Sequence, residues 1–256
     1  HYNNEVTHLA DGAFVTKAFG GDILTQEGHS LGVFYGMKSL GVFSTQAEAE
    51  AAGLAVVDAT GRRIAFSAGD VHFDDLDGNG IIDEHDRQII GNPNPDIYGH
   101  FGFDLEWKRL TLSATLTYSL GNDAFNAQRM LLESGSSLQN QTEAMRRRWI
   151  ADGQTTDIPR AVYGDPMGNA RFSDRFIEDA SYLKLHTLSL SYELPRFAKF
   201  LQGATLWAAA NNLFTLTRYL GADPEFSYGS TPLLQGIDAG LLPSARSYQI
   251  GIKLNL

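Results

Sequence analysis

Hydrophobic and polar residues alternate without a break over two neighbouring stretches, 97–107 and 110–120. In the first, Ile97, Phe101, Phe103, Leu105 and Trp107 share one face with Gly99, and Tyr98, His100, Asp104 and Glu106 share the other with Gly102. In the second, Leu110, Leu112, Ala114, Leu116, Tyr118 and Leu120 oppose Thr111, Ser113, Thr115, Thr117 and Ser119. A period of two predicts strands, and Lys108-Arg109 between them is the length of a tight hairpin turn. A third strand is predicted over 182–194. Its even-numbered face turns apolar at Leu188, Leu190, Tyr192 and Leu194, which puts Lys184 and His186 at the outer end of that face, and Pro195 ends it. Without a partner at ligand spacing, His186 reads as a surface residue. The stretch 204–217 reads as a fourth strand with less distinct faces. The fifth covers 246–256, where Tyr248, Ile250, Ile252, Leu254 and Leu256 alternate with Gln249, Gly251, Lys253 and Asn255.

Elsewhere the pattern is weaker. Residues 3–9 read as one short strand, and the Gly-rich, aromatic stretch 12–45 as short irregular strands and turns. Residues 46–60 open as a short polar helix with Thr45 as its N-cap. Pro93 and Pro95 forbid helix and set up an extended entry to the first long strand. Asn126–Trp149 has a largely helical pattern ending near Arg146-Arg147-Arg148, a solvated face whose charge suits a helix C-terminus. Residues 157–181 are turn-rich.

These elements predict an all-β chain, and their lengths bear on where the apolar faces look. Each hairpin strand is long enough to cross a bilayer at a tilt, which takes about 9–11 residues. Connections alternate between short (108–109, 195–203) and long (121–181, 217–245), as do the periplasmic turns and extracellular loops of outer-membrane barrels. The expected fold is therefore part of a large transmembrane antiparallel β-barrel with long extracellular loops. Residues 1–96 form a loop region with short strands, and residues 97–256 carry the barrel strands. The apolar faces would meet membrane lipid, and His100, Asp104, Glu106, Thr115 and Thr117 would line a watery passage. A secreted, Ca²⁺-dependent, carbohydrate-binding β-sandwich uses the same alternation, but it must bury the apolar faces of two sheets against each other.

Composition narrows the functions. Hydrophobic residues make up 43% of the chain, yet no apolar run is long enough for a helical span. Thirty acidic residues against twenty basic ones leave a net charge of −10, which argues against a nucleic-acid partner. Cysteine is absent, so disulfides and thiolate metal sites are excluded. The sequence holds no H-E-x-x-H or P-loop motif. The acid pairs Asp74/Asp75 and Glu178/Asp179 are adjacent and point to opposite faces of an extended chain. No catalytic residue is expected, and the chain is not read as an enzyme.

One candidate site stands out. Asp75, Asp77, Asn79, Asp83 and Asp86 fall at the first, third, fifth, ninth and twelfth positions of a calcium loop. Gly80 occupies the turn position, Ile81 would offer its backbone carbonyl, and Ile82 would plug the apolar side. Hard oxygen ligands on a flexible loop suit Ca²⁺, which takes roughly six to eight of them. GDVHF before the loop reads as a strand, so a structural staple is expected rather than an EF-hand switch.

Taken in order, GDVHFDDLDGNGIIDEHDRQIIGNPNPDIYGHFGF, SDRFIEDASYLKLHTLSLSYELP, NNLFTLTRYLGADPE and PSARSYQIGIKLNL resemble the C-terminal region of SusC/RagA-type TonB-dependent outer-membrane transporters of the Bacteroidota. The likeness reaches back to GHSLGVFYGMKSLGVF. It implies a plugged barrel of about 22 strands, import of oligosaccharides or peptides driven through TonB, a SusD-like surface lipoprotein as lid, and a bacterial outer-membrane location. The strands seen here cannot close a barrel of that width, and lipid does not tolerate open edges. The chain, starting at His1 without Met, is expected to be a C-terminal piece. The remaining wall, the plug and the TonB-contacting part would lie elsewhere. Tyr163, Phe172, Phe226 and Tyr228 in the long loops are candidates to stack on sugars, although each reads first as a packing residue.

Overall fold

Short strands come first along the chain, in a computed structural model that describes residues 4–195, 203–226 and 231–255. They are β1 (Phe14–Ala18), β2 (Gly21–Thr25), β3 (Val33–Met37), β4 (Ser39–Val42), β5 (Ala55–Val57), β6 (Arg63–Ala65), β7 (Val71–Phe73) and β8 (Arg87–Gly91), with helix α1 (Gln46–Ala52) between β4 and β5. Thr45 caps α1 as expected. Its hydroxyl accepts from the Glu48 N–H at 3.2 Å, and the Glu48 carboxylate accepts from the Thr45 N–H at 3.3 Å. β1, β2, β3 and β8 pair in that order, while β4 pairs with β7 and β5 with β6.

The long strands follow: β9 (Ile97–Trp107), β10 (Leu110–Leu120), then, beyond short β11 (Asp123–Asn126), helix α2 (Ala127–Leu132) and β12 (Ile177–Asp179), β13 (Tyr182–Leu194) and β14 (Gly203–Thr217). β15 (Ile237–Asp238) precedes the last strand, β16 (Ser247–Asn255). All five strands expected from the alternation form, and they make one antiparallel sheet in the order β16-β14-β13-β10-β9. The segment 196–202, Leu256, Asn3 and Tyr228 lie outside the described residues.

Register puts the apolar residues of all five strands on one face. Leu112 lies between Leu105 and Leu190, and Ala114 between Phe103 and Leu188. Across the next gaps, Leu190 meets Ala208 and Ala208 meets Ile250. No second sheet covers this face among the described residues. Ile250 is 87% exposed and Trp107 68%, while Leu112 and Leu116 are half-buried only among their own neighbours. Within the described residues the sheet is therefore not one half of a β-sandwich, whose two sheets would cover each other.

One feature of β13 corrects the sequence reading. Thr115 faces Thr187 but its neighbour Leu116 faces Leu185, so His186 is an extra residue, a β-bulge. The bulge shifts the parity of the strand. Leu183 and Leu185 join the apolar face, and Lys184 turns to the polar one beside Thr117 and Thr215. β14 answers with its own irregularity at Asn212, whose φ is 55°. Lys184 is therefore not at the outer end of the apolar face.

The helical stretch expected over Asn126–Trp149 also shrinks. α2 stops at Leu132, and a 3-10 turn at Glu143–Arg147 is all that follows. Gly135, with φ of 61°, and the serines around it break the helix. Met145 of the 3-10 turn is buried, while Arg146 and Arg147 stay exposed.

Every long connection stands at the same end of the sheet, and there the described residues pack. One core gathers Met37, Phe43, Phe66, Val71, Phe73 and Ile82. A second joins Ile23 and Phe34 to Phe125, Phe172, Phe176 and Ile237, drawing on the region before β9 and on both long connections. The residues before 97 thus fold together with the loops 121–181 and 218–246. A polar clamp reinforces this. Asp70, fully buried, receives Nε and Nη2 of Arg160 at 2.8 and 2.9 Å and Nδ2 of Asn169 at 2.9 Å. Two parallel N–H···O bonds fix orientation as well as distance.

Candidate functional site

The acidic loop hangs between β7 and β8, with Ile82 anchoring it in the first core. Gly80 takes φ of 76°, the left-handed turn that its position requires. This lets its N–H reach Oδ2 of Asp75 at 2.8 Å. The Asn79 N–H reaches Oδ1 of Asp77 at 3.1 Å, and the Ile81 N–H reaches Oδ1 of Asn79 at 2.6 Å. The strand edge of β5 pins the loop from outside: the Ala55 N–H bonds the Gly80 carbonyl, and the Ile82 N–H bonds the Ala55 carbonyl.

Of the six ligands read from the sequence, the fold draws three carboxylates together. Oxygens of Asp75, Asp77 and Asp86 lie within 4.8 Å of one another. Asp86 is fully buried and takes two backbone N–H groups, from Leu76 at 2.9 Å and Asp83 at 2.8 Å. Asn79 and the Ile81 backbone lie along the same turn. Asp83 points elsewhere, capping the 3-10 turn Glu84–Asp86 by accepting from the His85 N–H at 2.8 Å. That hydrogen bond holds its carboxyl below the usual range, and in return the Asp83 carboxylate raises His85. A donor set of three convergent carboxylates fits a hard divalent cation. Without one, like charges at this spacing repel.

The polar face of the sheet carries the residues expected there. His100 pairs across from Thr117, Gly102 from Thr115, Asp104 from Ser113 and Glu106 from Thr111. Asp104 also accepts a hydrogen bond from the Ser113 hydroxyl. Lys184 was missed as a functional group. It is 2% exposed and binds Oε2 of Glu225 at 2.7 Å and Oδ2 of Asp223 at 3.1 Å, tying the loop after β14 to the wall. Burial alone would raise the Asp223 carboxyl. The N–H groups of Ser244 and Glu225, with Lys184, outweigh it and hold the group below its usual range. The signal available in the sequence was two polar residues, Lys184 and His186, on a face otherwise apolar.

The loop aromatics divide. Tyr163 is 81% exposed. Phe172 is buried in the second core against Phe125 and Phe34, and Phe226 packs on Tyr219. Phe172 is thus a packing residue, and Tyr228 lies outside the described residues.

No family model matches the chain. It is 32% identical over 266 residues to TonB-dependent receptor P3 of Formosa agariphila, covering 98% of this chain and 25% of that protein. It is 28% identical over 190 residues to TonB-dependent receptor SusC of Bacteroides thetaiotaomicron, covering 71% of this chain and 17% of that one. The RagAB peptide importer in its open-open state superposes with a TM-score of 0.73 at 23% identity, over 98% of this chain and 25% of that chain, a likeness of fold. The chain thus spans a quarter or less of the length of these curated relatives. In sequence and in fold, it corresponds to a segment of a SusC/RagA-type TonB-dependent receptor.

Proposed function

We propose that this chain is C-terminal wall and outer loop of an importer in the bacterial outer membrane. The whole protein would bring in oligosaccharides or peptides, driven through TonB, beneath a SusD-like surface lipoprotein. The plug, the TonB contact and the rest of the barrel would come from outside this chain. The segment itself would bind and guide its cargo without making or breaking bonds. One observation carries the reading: among the described residues nothing covers the apolar face of the sheet, with Ile250 87% exposed, while the buried cores sit in the loops. A water-soluble domain would leave that face unpaid for in free energy. Lipid accepts it. The native protein purified from membranes should need detergent and run as a species far above the 28.0 kDa of this chain. A species of that mass, soluble without detergent, would sink the importer.

The acidic loop supports a second assignment, a structural Ca²⁺ held by Asp75, Asp77, Asn79, the Ile81 carbonyl and Asp86. Asp83 would join by releasing His85. Bound there, the cation would neutralise the carboxylates and fix the β7–β8 connection. With the native protein, chelator should speed proteolysis near 75–86, and added Ca²⁺ should restore protection. Asp75→Asn should abolish the difference. Equal cleavage with and without chelator would refute the site.

A further inference from the structure

Asn79 is followed by Gly80, and no other asparagine in the chain stands before a glycine. Glycine has no Cβ, so the backbone nitrogen after Asn79 is unshielded. An asparagine side chain can react with that nitrogen wherever the two are free to meet. In the acidic loop both are engaged elsewhere. The Gly80 N–H donates to Oδ2 of Asp75 at 2.8 Å. The Asn79 amide is held at both ends: Nδ2 donates to Oδ2 of Asp77 at 2.8 Å, and Oδ1 accepts from the Ile81 N–H at 2.6 Å. The Gly80 carbonyl accepts from the Ala55 N–H at 3.0 Å and from Nη2 of Arg63 at 3.1 Å.

We propose that Asn79 is a latent deamidation site, held unreactive by the closed loop and converted when the loop opens. In the open loop the Gly80 nitrogen gives up its proton to solvent base and attacks Cγ of Asn79. The new bond closes a five-membered succinimide, and the bond from Cγ to Nδ2 breaks as ammonia leaves. Water then opens the ring at either carbonyl. The product is aspartate or, with the main chain rerouted through Cγ, isoaspartate. One water is consumed and one ammonia is released, and no oxidant or reductant takes part. Two features of the closed loop oppose this. The Asp75 carboxylate retains the Gly80 proton in a hydrogen bond, and its negative charge opposes formation of the attacking anion. Asp77 and Ile81 fix the amide that must turn toward Gly80. The product sets a further carboxylate among Asp75, Asp77 and Asp86, where like charges repel. Isoaspartate also lengthens the backbone ahead of Gly80 and breaks the register in which Gly80 meets Ala55. An opened loop is thereby marked irreversibly. The proposal stands on bonds within the chain and needs neither the importer reading nor a bound cation.

The test incubates the full-length protein in detergent with Ca²⁺ at mildly alkaline pH. Trypsin releases residues 64–87, which hold no lysine or arginine before Arg87. Mass spectrometry of that peptide reads the conversion of amide to acid at Asn79, and a zero-time sample sets the background. The folded parent should convert at least about tenfold more slowly than a synthetic peptide of the same residues. Asp75→Ala and Asp77→Ala should each speed conversion in the folded protein about fivefold or more. Asn169, buried in its bond to Asp70, monitors folding. A variant that also converts there has unfolded, and the parent against the peptide then decides alone. A parent that converts as fast as the peptide would overturn the proposal. So would a folded variant no faster than the parent, and a slower Asp75→Ala would make that carboxylate the base for the reaction instead of its block.

Discussion

At the scale of single residues, Lys184 shows how this chain treats charge. A lysine 2% exposed is tolerated because two carboxylates from one loop meet it. Replacing it (Lys184→Met) leaves Asp223 and Glu225 facing each other. Detachment of the loop should become easier by about 2–3 kcal/mol, less than for a fully buried pair because Glu225 stays partly open to water. Proteolysis within 218–246 on the intact protein reads this out, and Lys184→Met with Asp223→Asn and Glu225→Gln should recover much of the loss. If the single variant is cut no faster than the parent, the clamp carries no weight. The pH dependence has a definite sign. The folded Asp223 carboxyl lies below its usual 3.8, so its contribution is present above that value. It is lost as pH falls through the lower, folded value. The clamp should therefore hold at neutral pH and loosen only in strong acid. Little of this was legible in the sequence, because Asp223 and Glu225 lie in a loop whose route to β13 no local pattern records.

At the scale of elements, legibility follows continuity. β9, β10 and β16 alternate without interruption, and their bounds and faces could be read directly from the residues. The capping box at Thr45 and Glu48 was legible for the same reason: its chemistry is local. β13 was found as a strand but misread in its first turns, since a bulge is defined by what lies across from it and not by its own sequence. The helix expected over 126–149 stops at Leu132, and Gly135 just beyond it, with φ of 61°, could not have continued it. The bulge makes a sharp prediction. His186→Ala should assemble normally, because the position is a spacer. Deleting His186 should remove the bulge and close the strand up, with Leu185 still opposite Leu116 and Lys184 still opposite Thr117. An ionised lysine on the lipid face would cost about 2–4 kcal/mol at mid-depth and less near the interface, and neither variant incurs that cost. Both variants should therefore give as much heat-resistant, membrane-inserted protein as the parent. A severe loss with the deletion alone would mean that the extra residue does more than set the parity of the faces.

At the scale of the whole molecule, the sheet and the loops solve different solvent problems. The loops build conventional cores from distant parts of the chain, joining Ile23 and Phe34 to Phe125, Phe176 and Ile237. Among the described residues the sheet's apolar face is covered by nothing, which is stable only where the surroundings are themselves apolar. The three tryptophans of the chain sample these environments separately. Trp107 lies on the apolar face at the hairpin end, 68% exposed. Trp207 lies on the opposite face, close against Gly251, where a Cβ would meet its ring at 2.6 Å. Trp149 sits in the loops, its Nε1 donating to the Ser44 carbonyl at 3.1 Å. Lipids brominated along their acyl chains quench only indoles that touch them. In the full-length protein reconstituted with such lipids, Trp107→Phe should remove part of the quenchable emission. Trp207→Phe and Trp149→Phe should remove emission that the lipid never quenched. Because each variant is compared with the parent in the same bilayer, tryptophans elsewhere in the protein cancel. A quenchable share that survives Trp107→Phe intact but falls with Trp207→Phe would reverse the two faces and place hydrocarbon against the hydroxyl-bearing side.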